Sequence, residues 1–214
     1  MRIRKRLGVF PAAGAALVMA LAAAPAGAAA AAVGWSVSPG GAVTGKQSGK
    51  VTITDTVTKK SVVCATTAAA GRFKAGTGLP GTGIGSLRSL TLTGCATAGG
   101  AAFTVTAGAL PWSLNAVNYL PAKATTYGTL TGMHLTLAAT GCRATIDGTS
   151  AAGDNGTVVI HIHNSPSKLK FEAAGGSLHV YVGSGCTGVF HNGNPVTVDN
   201  AYLLSPAQAI TGTP

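Results

Sequence analysis

The chain has 214 residues, with 15 Lys and Arg against five Asp and Glu, a formal net charge of +10, and only 9% charged residues. Four of the cations, Arg2, Arg4, Lys5 and Arg6, stand at the very start; without them 11 remain against the five acids, about +6 and scattered. A nucleic-acid binder would concentrate such charge on one face with aromatics interleaved, so nucleic acid is not expected as a partner. At 46% hydrophobic the chain is also not composed like a disordered one.

Residues 1–30 read as an export signal. A basic start is followed by an apolar stretch from Leu7 to Ala24 and by small residues that suit cleavage after Ala28 or Ala30. Pro11, Gly14 and Pro25 argue against the alternative, a retained membrane helix. No later apolar run is long enough to span a bilayer as a helix, so no transmembrane segment is expected after cleavage. Residues 31–214 are then expected to form a single β-sandwich domain, long enough to bury about 70% of its unfolded surface.

Strands follow from period-2 alternation between turn residues. In 50–57, Val51, Ile53 and Val57 alternate with threonines. Further strands are expected at 61–66, 84–93, 103–105, 110–115, 127–133, 134–137, 143–147 and 196–204. No window shows a helical stripe. Ten or more short strands with glycine turns imply an all-β fold, an antiparallel sandwich or barrel.

From Gly156 to Val182 the alternation is regular enough to predict register. With Asn164 to Ser167 as a turn, His163 faces Lys168, and Ile162/Leu169 and Ile160/Phe171 share one buried side. With Gly175-Gly176 as a second hairpin turn, Phe171 faces Val180 and Glu172 faces His179. A one-residue slip would reverse every side chain. His161 and His163 are the metal candidates, two imidazoles on one strand face. Lys168 and Lys170 opposite them repel a dication, so a solvated polar face is the expectation, with no metal and no cofactor. Glu172 and His179 are expected to form an exposed polar pair of little net energy.

Three short motifs lack the context their chemistry needs. Gly76 to Gly81 satisfies G-x-G-x-x-G, but Pro80 and Gly83 prevent the helix that would hold a pyrophosphate. Gly40 to Lys46 approximates a P-loop in which Gln47 replaces the magnesium-binding hydroxyl. Leu79 to Gly83 resembles a sorting signal but lies far from the C-terminus. Hydrolase readings lack parts as well. No nucleophile elbow exists, and of the five acids, Asp147-Gly148 and Asp154-Asn155-Gly156 read as turns. The chain is not expected to be an enzyme.

Cys64, Cys95, Cys142 and Cys186 form an even set without C-x-x-C in a chain read as exported, which predicts two disulfides. Four cysteines allow three pairings. Cys64 with Cys95 and Cys142 with Cys186 is favoured because each pair brackets a contiguous set of strands.

A flat ring stacks on a sugar face, so exposed aromatics are the candidates for ligand binding. Trp112, Tyr119 and Tyr181 are singled out, Tyr181 because the register points it outward. The competing reading places Trp35 and Trp112 in the core, as most tryptophans are.

The segments from Gly81 to Cys95, Leu110 to Val117, Gly175 to Cys186 and Leu204 to Ile210 resemble a family of secreted, disulfide-containing, β-rich proteins of actinobacteria. The resemblance spans nearly the whole chain after the signal. It implies location and fold, and carries no catalytic residues. The expectation is a noncatalytic secreted or cell-envelope-associated β-protein with a structural or surface-interaction role. The alternative is a carbohydrate or small-ligand binding module, with a cell-wall polymer or glycan as partner.

Overall fold

Alternation of apolar with hydroxylated residues carries the chain into fifteen strands among the described residues. They are β1 (Gly34–Ser38), β2 (Gly41–Gln47), β3 (Val51–Asp55), β4 (Ser61–Phe73), β5 (Gly76–Leu79), β6 (Gly85–Thr97), β7 (Ala102–Gly108) and β8 (Trp112–Leu120). There follow β9 (Thr125–Ala139), β10 (Cys142–Asp147), β11 (Gly156–Asn164), β12 (Ser167–Phe171), β13 (His179–Ser184), β14 (Val196–Ser205) and β15 (Ala209–Thr213). The computed structural model describes residues 34–186 and 188–213; the expected export signal lies outside them. No helix among the described residues is long and apolar enough to cross a membrane.

Of the sandwich and the barrel that alternation permits, the structure takes the second: a closed eight-stranded barrel with extra strands. The first ring runs β2-β4-β6-β8-β9-β11-β12-β14 and returns to β2, every neighbour pair antiparallel. Closure leaves no free sheet edge on this ring. The long strands β4, β6, β9 and β14 then continue beyond it and exchange partners: β3 replaces β2, β7 replaces β8, and β10 with β13 replaces β11. A second tier is thereby stacked on the first. Its β13–β14 side is joined by the His179–Pro195 bridge and by main-chain bonds Val180 N to Asn194 O and Val196 N to Leu178 O.

The change of partners requires a change of parity. In β9 the inward set is Thr126, Gly128 and Leu130, then Met133, Leu135 and Leu137. Gly132, at φ +84°, takes up the extra residue, a conformation that side chains with a Cβ rarely adopt. The two expected strands at 127–133 and 134–137 are therefore one strand with a bulge. β4 likewise buries Val62 and Cys64, then Thr67, Ala69 and Phe73.

The interior is filled by these inward rows, with Trp112, Phe171, Ile53, Leu130 and Ile146 almost wholly buried. Each large apolar side chain so placed contributes about 1.5–3 kcal/mol. A three-stranded sheet, β15-β1-β5, seals one end of the first ring. Asn164 exchanges two hydrogen bonds with the Ile210 backbone, Thr126 Oγ1 donates to Ile210 O, and Ser167 and Gln208 bond to each other. Strands β1, β2, β5 and β15 lack the β-branched alternation that marks a strand in sequence. Pairing partners, β4 and β14 for β2 and one another for β1, β5 and β15, hold them extended where local propensity is weak.

Both disulfides have the favoured connectivity, Cys64–Cys95 and Cys142–Cys186. The first is a cross-strand pair between β4 and β6; the second ties the start of β10 to the segment after β13. Both are buried, and such bonds belong to oxidising compartments.

The first predicted hairpin is present, with Ile160 opposite Phe171, Ile162 opposite Leu169 and His163 opposite Lys168. The second is not. β12 pairs with β14 instead, Leu169 facing Tyr202, while β13 crosses to the second tier and pairs with β10. The predicted facing of Phe171 with Val180 and Glu172 with His179 is corrected accordingly. Both strands need a partner on the closed barrel, and β14 occupies the place a local hairpin would have filled.

Candidate ligand groove and the clamped loop beside it

The outward face of β9, β10 and β13 is built by the same alternation. Past Gly132, β9 turns His134 and Thr136 outward; β10 turns out Arg143, Thr145 and Asp147; β13 turns out His179 and Tyr181. Register sets Thr136, Thr145 and Tyr181 side by side in one row. In the next row His134, Asp147 and His179 are neighbours.

A groove of about 590 Å³ lies on the first row, lined by Thr136, Arg143, Thr145 and Tyr181, with Ala151 and Asn192 from two flanking loops. Asn192 Oδ1 accepts the Val182 N–H, which fixes that loop against β13. The groove thus presents hydroxyls, an amide, a guanidinium and a tyrosine side chain.

The second row is roofed by the loop 148–155, and Asp147 holds that roof. Its side chain is fully buried. Oδ1 accepts the N–H of Gly148 (2.7 Å) and Asn155 (2.9 Å), while Oδ2 accepts the N–H of Asp154 (3.0 Å) and His134 Nδ1 (2.8 Å). Both ends of the loop hang on one carboxylate. Asn155 stiffens the loop from within, its Oδ1 accepting Thr149 N–H and its Nδ2 donating to Thr149 Oγ1. Tyr181 Oη donates to Gly148 O at 2.9 Å, so the loop also positions the ring that walls the groove.

Burial alone would raise the Asp147 carboxyl; the His134 side chain and the three backbone N–H groups outweigh it and hold it below its ordinary value. Asp55 repeats the device at the end of β3. Burial is overcome there by N–H donation from Thr58, His191 and Val57 and by the Asn194 amide, and its carboxyl is also lowered. It pins the loop before β14.

His134, Asp147 and Asp154 each offer one ligand atom within 4.8 Å of the others, the spacing of a cation site. The hydrogen bonding already accounts for them. Asp147 accepts four donors, and His134 Nδ1 is shared between Asp147 and, at 3.2 Å, Asp154. The arrangement is a charge-assisted clamp.

The residues singled out from sequence are dispersed over the barrel. Tyr181 reaches the groove. Trp112 does not: it is 0% exposed, packed in the core with Nε1 donating to Gly108 O, and is withdrawn as a ligand platform. Tyr119, half-buried, packs against the core beside Gly212 of β15. Trp35 is also core.

His161 and His163 stand on the first ring. His163 Nδ1 bonds Thr125 Oγ1 at 2.9 Å, and His161 Nδ1 meets Glu172 Oε1 at 3.0 Å, with Tyr127 packed edge-on at 4.2 Å between centroids. Burial lowers the pKa of His161; Glu172 opposes this, and His163, Lys170 and Lys123 add to it. Glu172 pairs with His161 and Lys170, so the expected Glu172–His179 pair is replaced; His179 Nδ1 meets Gly148 O at 3.1 Å.

The clamp was not legible in sequence. Asp147-Gly148 and Asp154-Asn155-Gly156 read only as separate turns, and His134 only as the first residue of the strand expected at 134–137. An Asp-Gly step and an Asp-Asn-Gly step bracketing an eight-residue loop are the marks the clamp leaves in the sequence. Comparison of the chain with protein-family models, with curated proteins and with solved structures finds no match to any of them.

Proposed function

We propose that the protein is a noncatalytic, exported surface-interaction protein that holds a cell-envelope glycan in the groove on β9, β10 and β13. The observation that carries this reading is the lining of that groove: the Tyr181 ring stands among Thr136, Thr145, Asn192 and Arg143. A ring face stacks on a pyranose, and hydroxyl, amide and guanidinium groups bond its hydroxyls, the small polar set typical of a recognition site. Proton-transfer groups stand apart, since Asp147 and His134 are engaged in the roof of the loop. The basic and apolar leader and the two disulfides support export.

A glycan array probed with the purified chain lacking residues 1–30 tests the reading. Binding to a subset of envelope polysaccharides is expected, with Tyr181→Ala and Arg143→Ala each reducing it at least tenfold. An array without binding, or binding that Tyr181→Ala leaves intact, overturns it.

A further inference from the structure

A second groove, of about 350 Å³, lies on the first ring where β4, β6 and β8 meet, and three cations converge on it: Arg72, Lys74 and Arg88. Alternation places Arg72 and Lys74 outward on either side of the buried Phe73. Register pairs Arg72 with Ser86, and Ser86 with Ser113, so two hydroxyls continue the same outward row. Arg88 is the unpaired residue of a bulge: Ala70 faces Ser89 and Gly71 faces Leu87. The bulge leaves Arg88 on the side of Ser86, its Nε 3.4 Å from Ser86 Oγ.

No acidic side chain among the described residues neutralises these charges. The five acids of the chain are Asp55, Asp147, Asp154, Glu172 and Asp199, none of which lines the groove. Among the described residues no ion pair reaches Arg72, Lys74 or Arg88. Arg88 stands diagonally from Arg72 across the strand pair and Lys74 follows at the end of β4, so an anion held among them would relieve their mutual repulsion. Gly83, at φ +60°, lines the groove between Lys74 and Ser113. A Cβ there would stand 3.7 Å from Ser113 Oγ and 3.8 Å from Lys74 Nζ, in the space between hydroxyl and ammonium.

We infer that this groove binds a tetrahedral oxyanion, a phosphate or sulfate group, gripped by Arg72 and Arg88 with Lys74 and the Ser86 hydroxyl completing the ring of donors, while the Ser113 hydroxyl donates to Asn115 Oδ1 at the rim. Guanidinium groups present paired N–H donors that match such oxyanions, and lysine adds a point charge. The group can arrive as a free anion or as an ester on a larger molecule. The site is separate from the Tyr181 groove and does not depend on the glycan reading.

Titration calorimetry at low ionic strength, with inorganic phosphate, sulfate, glycerol 2-phosphate and acetate as probes, tests it. Phosphate and sulfate are expected to bind saturably and at least tenfold more tightly than acetate. Arg72→Gln and Arg88→Gln are each expected to weaken phosphate about tenfold, with Lys60→Gln and Tyr181→Ala without effect. Glycerol 2-phosphate binding as tightly as phosphate assigns the site to an ester, and its exclusion assigns it to the free anion. Absence of saturable phosphate binding, or affinity unchanged in both arginine variants with melting temperature preserved, overturns the inference.

Discussion

His134 Nδ1 lies 2.8 Å from Asp147 Oδ2 at the level where one ring of the barrel gives way to the next. β9 has just changed parity at Gly132, so His134 is the first outward side chain of the second tier. Its ring packs over Gly108 on the neighbouring strand, where a Cβ would stand 2.9 Å from the ring. One imidazole and one carboxylate thus tie the bulge to the loop 148–155.

Removing that carboxylate should be costly. Asp147→Asn keeps the shape but sets an amide against some of four converging donors, and is expected to destabilise by about 2–4 kcal/mol. His134→Ala removes one donor of the four and is expected to cost less, about 1–2 kcal/mol. Denaturant midpoints of the two variants check the order; equal and negligible losses would show that the clamp holds nothing.

The lowered carboxyls of Asp55 and Asp147 make stability depend on acid. A carboxyl whose folded pKa lies below its unfolded value of about 3.9 contributes stability in full above that value and loses it as pH falls through the folded pKa. His161 acts in the same sense, because its lowered pKa means that the unfolded chain takes up the proton first. Unfolding free energy is therefore expected to decline slightly below about pH 6.5 and steeply below about pH 4. In Asp147→Asn the steep phase should be shallower, a comparison that chemical denaturation across the pH range makes directly.

The disulfides close loops with sequence separations of 31 and 44. In the chain-entropy model each restricts the unfolded chain by about 4 kcal/mol. Replacing both cysteines of either pair by alanine should lower stability by roughly that amount. Reduction of the native chain should be slow without denaturant, since all four sulfurs are buried. Thiol titration with and without denaturant gives the accessibility, and denaturant unfolding gives the energy.

Gly132 tests the parity change itself. Space beside it is open, the nearest atom to a Cβ being Asp154 O at 3.7 Å, so substitution acts through backbone strain. Gly132→Val should cost about 1–3 kcal/mol, and Gly132→Asn clearly less, because asparagine tolerates the left-handed region. Equal losses in thermal melts would indicate crowding instead of strain.

Some of this architecture was legible without coordinates. The pairing of Ile160 with Phe171 and of His163 with Lys168 followed from two alternating runs and a tight turn, because short-range register is a local property. The cysteine pairing was favoured for the same reason, each bond staying within a contiguous set of strands. The path of β13 was not legible. Gly175 and Gly176 permit a hairpin, but whether β12 takes β13 or β14 as neighbour is settled by closure of the whole ring. Trp112 was ambiguous because an aromatic on an alternating strand suits either face until the opposite wall is known.

The amino-acid sequence by itself determined that this is an extended, pleated chain with sulfur bridges, since period-2 patterning, turn residues and an even cysteine count are read from near neighbours. Only the tertiary structure decided that the sheet closes, that it changes partners midway at Gly132, and that His134, Asp147 and Asp154 meet. The same holds for Arg72, Lys74 and Arg88, distributed over two strands and the turn that follows β4. Strand pairing and barrel closure bring together residues whose separation along the chain carries no mark of their proximity.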